Sequence, residues 1–63
     1  MTIVKTKFNG RLYYNLLQLN DKLAIYKMDF SDVSGNLEPV MCTAVALFPQ
    51  EEKETAEKFF DSL

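Results

Sequence analysis

The chain has 63 residues, no histidine, one cysteine and a net charge of −2. A chain this short forms one domain, residues 1–63, and buries only about 60% of the surface its unfolded form exposes. The lone cysteine excludes an internal disulfide, the missing histidine argues against a structural zinc site, and the mild acidity is the wrong sign for a simple electrostatic nucleic-acid binder. At 48% apolar residues the composition is globular.

The first local signal is Asn9-Gly10, set between Thr2–Phe8 and Arg11–Leu19. Both flanking runs are rich in β-branched, aromatic and leucine residues. Asn-Gly is the preferred pair for a two-residue type I′ loop, because both loop positions need positive φ. The spacing therefore predicts a hairpin with Phe8 opposite Arg11. Asn20-Asp21 marks a second turn, with Leu19 opposite Lys22 and a third strand over Lys22–Phe30. A loop is expected through Ser31–Asn36, a stretch dense in turn formers.

Leu37–Phe48 admits two readings. As a strand it is supported by Val40, Thr43 and Val45, with Pro39 near its start or on an edge. As a helix it would begin at Pro39 and bring Val40, Ala44, Leu47 and Phe48 near one face. The strand is preferred. The end of the chain predicts a helix with Pro49 in its first turn and Glu51 and Glu52 at its positive end. Ala56, Phe59, Phe60 and Leu63 recur at helical spacing and form one apolar stripe. Residues 50–63 carry five acids and two lysines, a net of −3, whereas residues 1–49 carry five bases and four acids, a net of +1. The fold class read from these elements is α+β: a small antiparallel β-meander of three to four strands with one C-terminal α-helix packed on one face, in the order ββββα.

The two turns set a register, and alternation then sorts the side chains onto two faces. One face holds the rows Ile3–Leu16–Ile25, Lys5–Tyr14–Lys27, Lys7–Leu12–Asp29 and Gln18–Leu23. The opposite face holds Thr2–Leu17–Ala24, Val4–Asn15–Tyr26, Thr6–Tyr13–Met28 and Phe8–Arg11–Phe30. The second face is richer in aromatics and is the expected seat of the helix. The first still carries Ile3, Leu12, Leu16, Leu23 and Ile25, which are expected to form an interaction surface. A symmetric homodimer centred near the row Ile3–Leu16–Ile25 follows from that expectation.

Nothing in the sequence arms a catalytic residue. Cys42 has no histidine to activate it, and its apolar run reads as the setting of a buried structural cysteine. The helix acids read as a solvated face. Gly10 and Gly35 are too far apart for a phosphate-cradling loop, and the spacing of Asp29, Asp32, Asn36 and Glu38 departs from a calcium loop. No cofactor and no metal are expected. The alternative binding site is the row Lys5–Tyr14–Lys27 with Lys7 beside it, where a tyrosine would stack a base and lysines would hold phosphates. The start of the chain lacks a basic region followed by an apolar run, and no stretch approaches 18 apolar residues, so neither a signal peptide nor a membrane span is expected. The unpaired cysteine suits a reducing compartment, hence a cytoplasmic protein. Together these features lead to the expectation of a small non-enzymatic protein that acts by protein–protein contact.

Overall fold

The computed structural model describes the backbone of all 63 residues and every side chain except that of Val33. Four strands are joined by tight turns into one antiparallel sheet of order β1-β2-β3-β4: β1 (Thr2–Asn9), β2 (Leu12–Gln18), β3 (Lys22–Val33) and β4 (Asn36–Pro49). A 3₁₀ turn, Gln50–Glu52, leads into helix α1 (Lys53–Asp61). The ββββα order is the one the turn signals predict.

The turns themselves differ in detail. The first loop is Gly10-Arg11, and Asn9 closes the ladder opposite Leu12. Gly10 has φ +66°, and no other residue of this turn has positive φ. Glycine at the first loop position fits a type II′ turn. Sliding the loop one residue onward pairs Phe8 with Tyr13 rather than Arg11. That register lets Phe8, Tyr13 and Phe30 cluster, with ring centroids 5.4 to 6.3 Å apart. Aromatic pairs at such separations contribute about 0.5–1.5 kcal/mol each beyond the area they bury. The second turn falls at Asn20-Asp21 as expected, closed by the Leu19 amide donating to the Lys22 carbonyl at 2.9 Å. The β2–β3 register, with Leu16 opposite Ile25, also matches.

The expected Ser31–Asn36 loop shrinks to two residues. β3 runs on to Val33, and Ser34 (φ +53°) and Gly35 (φ +84°) make the turn. Two successive positive φ values are the type I′ pattern, so that turn occurs here and not at Asn9-Gly10. The segment 37–48 is strand. Pro39 sits on the edge strand beside a register shift, where its missing N–H leaves the ladder intact. Pro49 ends β4 and precedes the 3₁₀ turn, so the α-helix starts later than the proline suggested.

The helix lies on the face opposite to the one expected. Leu16, Leu23 and Ile25 are fully buried with Ala56 and Phe60, and Val4, Tyr14, Ala46, Phe48 and Leu63 pack around them. A bulge at Val4 explains how β1 contributes. The ladder steps from Ile3↔Leu17 to Lys5↔Leu16, which leaves Val4 as the extra residue. Val4 thereby reaches the core, and Ile3 moves to the other face.

Charge on this face matches the end of the helix. Lys5, Lys7 and Lys27 share parity with Leu16 and Ile25 and lie on the core side of the sheet. The Lys5 ammonium meets Asp61 at 3.2 Å and Glu57 at 3.7 Å. The Lys7 ammonium donates to the Asp61 carbonyl at 3.1 Å and to the Leu63 carbonyl. Lysine at a helix C-terminus meets the negative end of the dipole. At the other end of the helix, Gln18 donates its side-chain amide to the Leu19 carbonyl at 2.7 Å and to the Gln50 side chain, which ties the second turn to the corner before the helix.

Three stability outcomes follow. Gly10→Val should lower stability by about 1–3 kcal/mol, since a β-branched residue is strained at positive φ. The space around Gly10 is open, so the loss comes from the backbone alone. Phe60, 2% exposed, is the buried anchor of the helix, whereas Phe59 is 39% exposed and touches Phe48 at 5.7 Å. Phe60→Ala should therefore cost about 3–5 kcal/mol, comparable with the whole stability of a small domain. Phe59→Ala should cost about 1–2 kcal/mol. Thermal unfolding followed by circular dichroism ranks these variants, and equal losses at Phe59 and Phe60 would contradict the packing.

Candidate interaction surface

With the helix on the Leu16 side, the other face of the sheet is bare. Its rows run Ile3–Leu17–Ala24–Leu47, Thr6–Asn15–Tyr26–Ala44 and Phe8–Tyr13–Met28–Cys42. Phe30 and Pro39 extend it toward the end of the β3–β4 hairpin. Ile3 and Phe8 are each 58% exposed and Leu47 61%. The flanking side chains of Leu17, Tyr13, Tyr26 and Met28 are half-buried. No charged residue interrupts these rows. Lys22 bounds the face at one end, and Arg11, beside Phe30, and Asp32 at the other. An antiparallel sheet with one solvated face normally alternates apolar with polar residues, and this one does not.

The expected interaction residues are therefore redistributed. Leu16, Leu23 and Ile25 lie under the helix and are closed to a partner. Leu12 is on that same face, opposite Asp29, and is half-buried. Ile3 alone of the five stands on the bare face, sent there by the bulge at Val4. The row Ile3–Leu16–Ile25 does not form, so it cannot centre a symmetric interface. The residues that do make up the open face were legible as a set, but their aromatic content suggested a core. The signal that decides otherwise is the pairing of an acidic helix with the lysine-bearing face.

The lysine–tyrosine row is also rearranged. Lys7, not Lys5, lies opposite Tyr14, with Lys27 on its other side. Tyr14 packs against the core cluster. Lys5 and Lys7 spend their ammonium groups on the end of the helix. The row is thus a clasp for α1 and presents no free stack of tyrosine and lysines.

Cys42 is exposed, opposite Met28 on the bare face, and is not the buried cysteine expected from its apolar neighbours. It lies on an edge strand, which has no neighbour beyond it to cover the side chain. A shallow depression of about 300 Å³ lies among Asp21, Lys22, Leu47, Phe48 and Pro49. Among the described residues no group of three or more cysteines and acids is placed to hold a metal. Among the described residues no helix is long and apolar enough to cross a membrane. Among the described residues, Asn15 Oδ1 on the bare face and Asp29 Oδ1 on the helix side are buried without a hydrogen-bond partner. Comparison with models of known families, with curated proteins and with solved structures finds no match.

The clasp has a measurable signature. Its ion pairs are partly exposed, so each contributes at most about 1 kcal/mol. Replacing both Lys5 and Lys7 by Met should lower unfolding free energy by about 1–2 kcal/mol at low salt. The difference from the parent chain should shrink as salt is raised toward 1 M, where charges are screened within about 3 Å. Urea titrations at two salt concentrations test this, and a salt-independent loss would mean that the lysine stems, not their charges, hold the helix.

Proposed function

We propose that this protein is a small non-enzymatic protein of the cytosol that acts by protein–protein contact, with the bare sheet face as its contact surface. One observation carries the reading: a four-stranded face, free of charge through its three full rows and apolar in all but the Thr6 and Asn15 positions of the middle one, stands open opposite the helix. Soluble monomers rarely leave a contiguous apolar patch of more than a few hundred Å² open to water unless something covers it. Aromatics at one end, the exposed Phe8 with the half-buried Tyr13 and Phe30 beside it, supply the large rigid groups that dominate contact energies. An exposed, unpaired Cys42 on the same surface suits a compartment that keeps thiols reduced.

The shape of the chain supports the same reading. Its radius of gyration is 12.7 Å, against about 11 Å for a compact chain of this length. The chain is long and thin, 43 by 22 by 15 Å, and one helix of nine residues covers part of one side of the sheet. Such a body offers a partner more surface than a sphere of equal mass.

A photo-crosslinking amino acid placed at Thr6, exposed in the middle row of the bare face, should capture protein in the source cell. The same group at Thr55, exposed on the helix, should not. Absence of adducts at Thr6, or equal yields at the two positions, would remove the contact-surface assignment.

A further inference from the structure

We infer that Asn9-Gly10 is a self-modifying site: the Gly10 main-chain nitrogen attacks the Asn9 side-chain carbonyl carbon, and the cyclic imide that forms opens to an isoaspartyl or aspartyl residue at the end of β1. The inference is independent of the contact-surface reading and adds a covalent change at the border of that surface.

The starting point is a pair left without a structural task. Asn-Gly is the favoured loop of a type I′ turn, yet this hairpin turns on Gly10-Arg11 and leaves Asn9 in the last rung of β1, opposite Leu12. Asn9 does not take the positive φ that such a loop would give it. Among the described residues its side chain makes no hydrogen bond, and the Gly10 amide donates to no turn acceptor. Both residues are exposed. The two groups that must react are thus adjacent in the chain, wetted by solvent and unengaged.

The chemistry needs only water. Solvent hydroxide takes the Gly10 amide proton, and the nitrogen bonds to Asn9 Cγ. The Cγ–Nδ2 bond breaks and ammonia leaves, which closes a five-membered ring. Water then opens one of the two imide C–N bonds. One water is consumed and one ammonia released, and nothing is oxidised or reduced. Attack within one chain replaces an encounter between two molecules, a large saving in entropy. Gly10 has no Cβ to crowd its nitrogen, and nothing lies within 4 Å of where a Cβ would stand. The reaction requires Asn9 to leave its extended geometry. It belongs to the last rung before the loop, and the fraying end of an element opens at far lower cost than its middle.

The other asparagines lack this combination. Asn15 precedes Leu16 on an inner strand, with its Oδ1 buried. Asn20 precedes Asp21 and Asn36 precedes Leu37, whose side chains crowd the attacking nitrogen.

The product reaches the bare face. An isoaspartyl residue routes the main chain through the former side chain and lengthens it by a methylene, which breaks the rung between positions 9 and 12. The preceding residue is Phe8, whose ring lies 5.4 Å from Tyr13 and 6.0 Å from Phe30. Either product also adds one negative charge beside Arg11 to a chain already at −2.

The full folded chain, incubated in mildly alkaline buffer at body temperature and then mapped with trypsin by mass spectrometry, tests the proposal. The peptide Phe8–Arg11 should gain the mass difference between an amide and an acid, in two separable forms, isoaspartyl and aspartyl, at a rate that climbs with pH. The chain in urea supplies the rate of an unrestrained pair, and Asn9→Gln, whose imide ring would be six-membered, should remain unmodified. The modified chain, separated by its extra charge, should show a weaker near-ultraviolet signal from its tyrosines. A folded chain that stays intact while the chain in urea reacts overturns the proposal, because the hairpin then closes the site. An aspartyl product alone overturns the imide route, and equal modification at Asn20 or Asn36 overturns the selectivity. An isoaspartyl chain with an unchanged near-ultraviolet spectrum overturns the link to the aromatic end of the face.

Discussion

The grip of β1 on the end of the helix marks the side of this sheet that becomes the interior. Both faces of the meander carry enough apolar side chains to seat a helix. They differ in charge. The face bearing Lys5, Lys7 and Lys27 receives the segment that carries Glu57 and Asp61, and the Lys5 pairs at 3.2 and 3.7 Å record the match. Each pair is worth little by itself in water. Their weight lies in the choice between two otherwise comparable packings, where a difference of about 1.4 kcal/mol is a tenfold preference. Burial of Leu16, Leu23, Ile25, Ala56 and Phe60 then supplies most of the stability.

The bulge at Val4 works with the same choice. A regular β1 would place either Ile3 or Val4 on the core side together with the alternate residues of the strand. The extra residue permits Val4 to join the core while Lys5 and Lys7 remain on that side. Ile3 goes to the bare face, where it extends the apolar row of Leu17, Ala24 and Leu47. One inserted residue thus serves both surfaces. Surplus apolar area on the second face is the consequence, and it is the feature on which the functional reading depends.

Much of the architecture was legible because local signals agree with it. Asn20-Asp21 turns where the pattern breaks, β2 and β3 pair in the register it implies, and Ala56, Phe59 and Phe60 of the stripe lie on a helix, with Leu63 just beyond its end. What was not legible came from competition between near-equal local choices. Asn9-Gly10 and Gly10-Arg11 are both credible loops, and the clustering of Phe8, Tyr13 and Phe30 selects the second. Ser34 adopts positive φ, a conformation uncommon outside glycine, asparagine and aspartate, so its turn looked like part of a longer loop. Bulges leave almost no trace in a single sequence, and one at Val4 was enough to exchange the faces of Ile3 and Val4. The candidate surface was therefore sought on the correct sheet and on the wrong side of it. The two facts that would have corrected this, lysines of one parity and acids in the final segment, were both visible but had not been set against each other.

The distance along the chain between the two halves of the clasp has a consequence for how the molecule comes into being. Lys5 and Asp61 are 56 positions apart, whereas every strand pairs with its immediate successor. Hairpins of this kind close within about 1–10 μs and need only neighbouring residues. The strands can therefore pair before the helix docks. Until then neither side of the sheet is covered, and the docking of Ala56 and Phe60 is the event that gives the sheet an inside and an outside.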